Sequence, residues 1–491
     1  MTLNLKSPEF QPREQRLGSI TGYEGTLKDM AQRGCGGCLT NRRRCFTTVS
    51  SCTHFHCLSL LINIEDSVIV DHAPSGCSSG IIHFSANRVA SGRLGPDKHH
   101  ARVFCTNIQE RETVFGALDK LRDTIRAAYE RYHPKIIYVS TSCTSSIIGD
   151  DVYSVVQEMR EELGVTISFA AVEGIKSKIW ASGFDAYGHA VVDSVIKPPA
   201  AKKNQVNYIA FAPIGREEVD RLFGRLGYEV LYLTGLTNNE EYARASQSVA
   251  TFGQCGAQSS YLAGALEQLY GIKYFQSYLP YGGLGFERFL REIGPHLGKA
   301  DLAEQIIAEE REKYREELES LRGRLRGKTA VILLGASYAY EYVRILRELG
   351  VTVLHAVGYH YDPRLDNQSD DPVAAAADAR DFEDIPTSVN DIQTMENYLV
   401  IKRLQPDFVV SRAHGDGCWA VKMGIPDIEG RIGLQVFGYK GLVSFGRVIA
   451  DELDNLNFVK KMHAHFEPPF TEEYEGFDPY FSLEDDAEEA I

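Results

Sequence analysis

Ten cysteines are spread through a chain of 491 residues, at 35, 38, 45, 52, 57, 77, 105, 143, 255 and 418. Three of them, Cys52, Cys77 and Cys143, each close a turn of small residues: SSC, PSGC and TSC. Iron–sulfur chemistry needs several thiolates converging on soft iron. It also needs backbone N–H groups that can face sulfide and small side chains that let a bulky cluster approach. The three turns meet those needs, but three thiolates are one short of a four-cysteine set, so such a cluster requires ligands from another chain. The competing reading of any one of these cysteines is a small buried hydrophobe. The CGGC at 35–38 lacks a second CxxC at ribbon spacing, which argues against a closed zinc site. Nor does a strand lead into it, as a redox dithiol would require.

Cys255 stands apart, in FGQCGAQSSYLAGALEQLYGIKYF (252–275). A polar, glycine-containing lead into a helix of Ala, Leu and Tyr places this thiol at a helix N-terminus, where the dipole favours thiolate. It is thereby a metal ligand or a nucleophile, and fourteen histidines are available as partners for the second role.

The elements that must position these residues are short β-rich runs, each followed by a small-residue turn and then a helical pattern. They are SVIVDHAPSGC (67–77), KIIYVSTSC (135–143), TISFAAVEG (166–174), NYIAFAPIG (207–215), AVILLGAS (330–337), TVLHAVGY (352–359) and DFVVSRAHG (407–415). Alternation with helical patterns predicts repeated βαβ units: an α/β fold of three domains, with parallel sheets flanked by helices. Ligands in such folds sit beyond the carboxyl ends of strands, where Cys77, Cys143, Glu173, Gly174 and His414 fall. A linker, KPPAAKKNQ (197–205), and a charged helix over 300–326, read as a solvated connector, set the expected divisions. These are residues 1–200 with the cysteine turns, 201–326 with Cys255, 327–470, and an acidic tail at 471–491.

The net charge of −15 excludes a generally basic, phosphate-tracking nucleic-acid binder. Nine of the excess acidic charges lie in the tail, read as solvated or lying on a partner subunit. The N-terminus has no apolar h-region and no stretch is apolar enough for a membrane span, so a cytoplasmic location is expected, where thiols stay reduced.

Taken together, the cysteine motifs resemble the nitrogenase component 1 family, in its α-type subunits. The matching pieces are CLTNRRRCFTTVSSC (38–52), the run from Cys52 to DHAPSGC ending at Cys77, FCTNIQERETVFGALDKL (104–121), STSCTSSIIGDD (140–151), EGIK (173–176), the Cys255 helix with YGIKYF, and KMGIP (422–426). The resemblance implies an α2β2 heterotetramer with a homologous β-type subunit, fed electrons by an ATP-dependent iron–sulfur reductase homodimer. It further implies three Rossmann-like domains with metal clusters between domains and at the subunit interface, and a P-cluster of the [8Fe-7S] type shared with the partner, with Cys52, Cys77 and Cys143 as this chain's ligands. Cys255 matches the residue that anchors a large iron–sulfur catalytic cofactor. Cys38 matches a family position that is not a ligand, and Cys35, Cys45, Cys57, Cys105 and Cys418 are assigned no role.

The departures from the family pattern carry information too. After KMGIP, molybdenum nitrogenase α subunits have a heterometal-binding histidine; this chain reads DIEGRIGLQVFGYKG and has no histidine from 427 to 462. The lysine that partners homocitrate gives way to SRAHGDG (411–417). Here His414 is either a substitute ligand or proton donor, or a hydrogen-bonded strand-end residue. The segment EGIKSKIWASGFDAYGH (173–189) is longer than the corresponding nitrogenase loop. Lys176 and Gln435 are expected to bind the cofactor, and His189, Trp180 and His414 to serve catalysis, with core packing the alternative for Trp180. These features look most like the methylthio-alkane reductases, which cleave a C–S bond of small organic sulfides and release methanethiol. A cofactor-assembly scaffold is the alternative, because scaffolds also keep the cysteine and lose the histidine. A dinitrogen-reducing α subunit fits less well.

Overall fold

Continuous runs of buried Val, Ile and Leu form the strands, and the computed structural model assembles them into three main sheets. It describes residues 2–33, 39–40, 52–90, 102–210, 215–233, 237–275, 279–366, 385–412, 415–430, 433–480 and 484–485. Cys35, Cys38, Cys45 and His414 lie outside these. The chain divides into two compact units, the first made of Met1–Arg16 and Ser51–Phe275, the second of Leu17–Ser50 and Gln276–Ile491.

The first unit holds two parallel sheets. Strands β1 (Val68–Asp71), β2 (Val103–Cys105), β3 (Ile136–Ser140) and β4 (Thr166–Ala170) lie in the order β2-β1-β3-β4. Every residue of β1 and β3 is buried, as expected of central strands covered on both faces. Strands β5 (Gln205–Ile209), β6 (Glu229–Leu233), β7 (Ala250–Gly253) and β8 (Lys273–Phe275) form the second sheet, in the order β8-β7-β5-β6. The cysteine turns lead into helices α1 (Thr53–Leu61), α2 (Ser75–Ala90), α3 (Cys143–Ile147) and α5 (Gly256–Tyr270).

One more helix, α4 (Ser182–Ser194), is buried from Ser182 to Val192 and packs against both α1 and α5. Bare backbone on two sides permits this. A Cβ on Gly183 would stand 2.3 Å from the Thr53 carbonyl oxygen and 2.8 Å from the Cys57 nitrogen. A Cβ on Gly188 would stand 3.3 Å from the Leu262 nitrogen of α5. The Cys52 helix and the Cys255 helix are therefore braced by one shared element.

The second unit carries a six-stranded sheet of β9 (Thr329–Leu334), β10 (Thr352–Gly358), β11 (Pro386–Val389), β12 (Phe408–Ser411) and β13 (Asp427–Glu429), with Tyr23–Thr26 as an antiparallel edge strand beside β11. Around it lie α6 (Gly282–His296), α7 (Ala300–Leu325), α8 (Ala336–Glu348) and α9 (Gly438–Asp454). The expected division at 201 falls between the two sheets of the first unit, and the charged helix α7 belongs to the second.

The acidic tail is not solvated along its whole length. Tyr480 is buried in the second unit, its hydroxyl 2.8 Å from His355 Nε2 and donating to Ser388 Oγ at 3.0 Å. Arg403 pairs with Asp478 at 3.0 Å and Lys402 pairs with Glu475. Counting charge in 471–491 hid these aromatic and ionic anchors. Among the described residues no helix is long and apolar enough to cross a membrane.

Candidate metal centres

Cys52 is the N-cap of α1, Cys77 is the third residue of α2 beyond β1, and Cys143 is the first residue of α3 beyond β3. Because β1 and β3 are hydrogen-bonded neighbours, two of these turns leave the same sheet edge side by side. Gly174, just beyond β4, completes the cradle. A Cβ there would meet Cys52 Cβ at 3.0 Å and the sulfurs of Cys52 and Cys143 at 3.3 Å each. The structure thus brings the three expected ligands together and keeps the space beside them clear of side chain.

A buried carboxylate ties the three turns to one another. Asp71, at the end of β1, accepts from His54 Nε2 at 2.8 Å and from Ser140 Oγ at 2.9 Å, and also from Ser78 Oγ. His54 lies two residues after Cys52, Ser78 follows Cys77, and Ser140 precedes Cys143 by three. Burial works against a charge on His54, but Asp71 and the Cys52 thiol outweigh it and push its pKa up to about 10. Burial would likewise raise Cys52, yet hydrogen bonds from His54 and the Phe55 N–H, with the charge of His54, bring its pKa below the ordinary thiol value. Cys77 is pushed up to about 11 by burial, then by Asp71 and by the thiols of Cys52, Cys143 and Cys105. Sulfurs crowded in this way suit a cationic group, since a metal-bound thiol is deprotonated outright. Among the described residues no three ligating side chains converge as they would on a single ion.

The site opens outward at Cys77, which is exposed. Nearby apolar side chains are exposed as well: Ile147, four residues after Cys143, at 71%, with Val114 and Phe115 at 73% and 82%. Their segments are joined where the Ala117 N–H donates to Asp150 at 3.2 Å.

Cys255 has the opposite setting. It is 5% exposed and caps α5 with extended backbone, its carbonyl accepting from Ser259 N at 3.0 Å and Ser259 Oγ at 2.7 Å. Residues from the N-terminal arm clamp this helix. Arg13 and Arg16 both pair with the fully buried Asp185 of α4, at 2.9 and 2.7 Å. Arg13 also donates to the Ala257 carbonyl, and Arg16 to Ser260 Oγ at 3.2 Å. Both guanidiniums thus lie beside the start of α5, where positive charge favours a thiolate and an anionic group bound to it.

The remaining expected residues fall in several places. His189, on α4, is buried with both ring nitrogens engaged: Nε2 with the Ser7 carbonyl at 2.9 Å and Nδ1 with the Tyr261 hydroxyl at 2.8 Å. Since a carbonyl can only accept, Nε2 carries the proton and Tyr261 donates to Nδ1. Burial lowers the pKa of His189, with the Ser7 carbonyl opposing. Trp180 packs on His56 of α1 with ring centroids 4.4 Å apart in a tilted contact and meets Phe184 edge-on at 5.7 Å. Lys176 pairs with Glu173 at 3.2 Å and Glu9 at 3.5 Å, two residues beyond Gly174 on the thiol-cluster side. Gln435 lies in the second unit, in the turn Gly433–Val436.

Sequence reasoning missed His54, Asp71, Gly174 as a cradle, and the clamp of Arg13, Arg16 and Asp185. The residues THFHC after Cys52 and DH before PSGC were the available signals for the first two. The arm gave none, since its partners lie more than 160 residues away.

The family model for nitrogenase component 1 type oxidoreductases matches residues 52–454. The chain belongs to that family. This nitrogenase-family oxidoreductase is 29% identical over 351 residues to the nitrogenase molybdenum-iron protein alpha chain of Clostridium pasteurianum, covering 69% of this chain and 65% of that one. It is 26% identical over 457 residues to the nitrogenase iron-molybdenum cofactor biosynthesis protein NifE of Methanococcus maripaludis, covering 91% and 89%. A solved structure titled nitrogenase Cp1 at pH 6.5 superposes with a TM-score of 0.70 at 22% identity, over 88% of this chain and 94% of that one, and shares the fold.

Proposed function

We propose that this chain is the catalytic α-type subunit of a nitrogenase-like reductase that cleaves the C–S bond of small methylthio-alkanes. The reading is carried by a cysteine kept at the N-cap of α5 in a chain that has no histidine from 427 to 462. The net reaction adds two electrons and two protons to a methyl thioether, breaks one carbon–sulfur bond, and gives methanethiol and a hydrocarbon. An ATP-dependent iron–sulfur reductase supplies the electrons. Cys52, Cys77 and Cys143 hold a P-cluster shared with a β-type partner, and the open face at Cys77 with exposed Val114, Phe115 and Ile147 supports contact with other chains. Cys255 would hold the catalytic iron–sulfur cofactor, which when bound supplies the low-potential electrons and a soft metal for the thioether sulfur.

The chain's own residues do the rest. Asp71 and His54 fix the thiol turns and place positive charge beside Cys52. Arg13 and Arg16 balance negative charge at the start of α5, and α4 holds the two cysteine helices at a fixed spacing. His189, engaged at both nitrogens, orients Tyr261 on α5 rather than delivering a proton.

A second reading, a subunit of a cofactor-assembly scaffold, is favoured by the NifE relative that matches along 91% of the chain. The test is anaerobic turnover of ethyl methyl sulfide by the purified complex with its reductase, following methanethiol by gas chromatography. ATP-dependent methanethiol release is expected. No release, together with transfer of a cluster to an apo-acceptor, assigns the scaffold role, and ammonia formed from dinitrogen instead assigns the third.

A further inference from the structure

The charged helix α7, read from sequence as a solvated connector, turns one row of arginines onto a cavity. Arg311, Arg315, Arg322 and Arg326 are spaced by 4, 7 and 4 residues, which at about 100° per residue puts them within about 60° of one helix face. With Arg344 and Arg347 of α8 they line a cavity of about 720 Å³ in the second unit. Its acidic lining side chains are Glu287, Glu319 and Glu348, and Glu341 and Glu312 pair with Arg344 and Arg315 beside it, so six guanidiniums meet five carboxylates in a chain of net charge −15.

Several of these cations are already paired. Arg311 donates twice to Glu287 Oε1, at 3.0 and 2.6 Å, and Arg322 donates to the Glu348 carbonyl at 2.7 Å and to Glu319 at 2.6 Å. Arg344 is different. Its side chain is only 3% exposed, and Nη2 donates to Glu341 and to the Tyr281 carbonyl, yet Nε and Nη1 are buried without an acceptor. Glu348, four residues on, accepts from the N–H groups of Gly283 and Leu284 through one oxygen and leaves the other unbonded. Buried guanidinium N–H groups without an acceptor are costly, and a planar oxyanion is the group their geometry matches.

We propose that this cavity binds a compact polyanion through its phosphoryl or carboxylate oxygens, with Arg344 as the buried donor and Arg315, Arg322, Arg326 and Arg347 supplying the surrounding field. Tyr439 is the one aromatic among the lining residues, and its hydroxyl donates to Glu287, so the cavity offers a nucleobase little to stack on. Nothing in this site draws on the cysteine clusters, and it stands or falls apart from the reductase reading.

The test is calorimetric titration of the full-length chain, in its complex, with pyrophosphate, inorganic phosphate and succinate, using chloride at matched ionic strength as the control. Saturable binding of pyrophosphate or succinate is expected, and the tighter of the two identifies the oxyanion. Arg344→Gln should weaken it at least tenfold. So should the double charge reversal Arg315→Glu with Arg326→Glu, at exposed side chains whose replacement leaves the circular dichroism spectrum unchanged, and this variant decides the matter if Arg344→Gln does not fold. The proposal is overturned if no titration saturates, if chloride reproduces the heat, or if binding survives the double reversal; Arg344 would then close internally on Glu348.

Discussion

The two cysteine sites of the first unit are built in contrasting ways. Cys52, Cys77 and Cys143 sit on three separate turns at one sheet edge, with Cys77 exposed and the others half-buried. Cys255 is a single buried thiol capping one long helix. At the first site the ordering is carried by a hub, Asp71, that hydrogen-bonds next to all three cysteines. At the second it is carried by a clamp, two arginines from the chain's start closing on Asp185 and α5. An open face with several ligands is a site to be finished by another chain. A closed one with a single thiol and two arginines clamped beside its helix is suited to holding an anionic group away from water.

Replacing cysteines breaks this contrast most sharply. Cys255→Ala should abolish turnover while leaving the iron and the EPR signal of the thiol cluster in place, whereas Cys77→Ala should deplete that iron and the partner's hold on it. Metal analysis and low-temperature EPR on both variants check this; equal iron loss from both would merge the two sites into one. Asp71→Ala comes next. Removing Asp71 takes the buried partner from His54 and the acceptor from Ser78 and Ser140, and breaking a buried pair costs about 3–5 kcal/mol, so denaturant unfolding should shift strongly. A shift no larger than that of a surface substitution would remove Asp71 from its place as hub.

Much of this was legible beforehand, and the reasons are physical. Central strands such as β1, β3 and β9 are buried on both faces and read as unbroken apolar runs. Edge strands did not show: Val103–Cys105 and Asp427–Glu429 are three residues long and only partly buried, too short to carry a period. The thiol ligands could be found because glycine and serine around a cysteine have a local cause. The Arg13–Asp185 clamp could not, because nothing local marks residues paired across 172 positions. The tail misled for a related reason: acidic composition suggested solvation, while Tyr480, stacked on His355, seats it together with the Arg403 and Lys402 pairs.

The shared helix α4 is where the two sites can be compared without touching either. Gly183→Ala would press a methyl group against the backbone of Thr53 and Cys57, which cannot swing aside, and overpacking of this kind costs about 1–3 kcal/mol. Thermal unfolding should register that loss, and the EPR line shape of the thiol cluster should shift more than that of the Cys255 cofactor.

The smallest effect expected is from His189 on the same helix. Its folded pKa is lowered by burial, so it is neutral in the fold, while the unfolded chain takes up a proton near the ordinary value of 6.5. The stability that depends on the neutral ring is therefore complete above about pH 6.5 and is lost as pH falls toward the lowered folded value. His189→Gln keeps a donor and an acceptor but cannot titrate, so the difference in unfolding midpoint between the two proteins should hold from pH 7.5 to about pH 6.5 and shrink from there to about pH 5. If His189 instead delivers protons in turnover, the variant would lose activity at neutral pH with no change in that acid limb. The split between the stability and activity profiles separates a residue that positions Tyr261 from one that takes part in the chemistry.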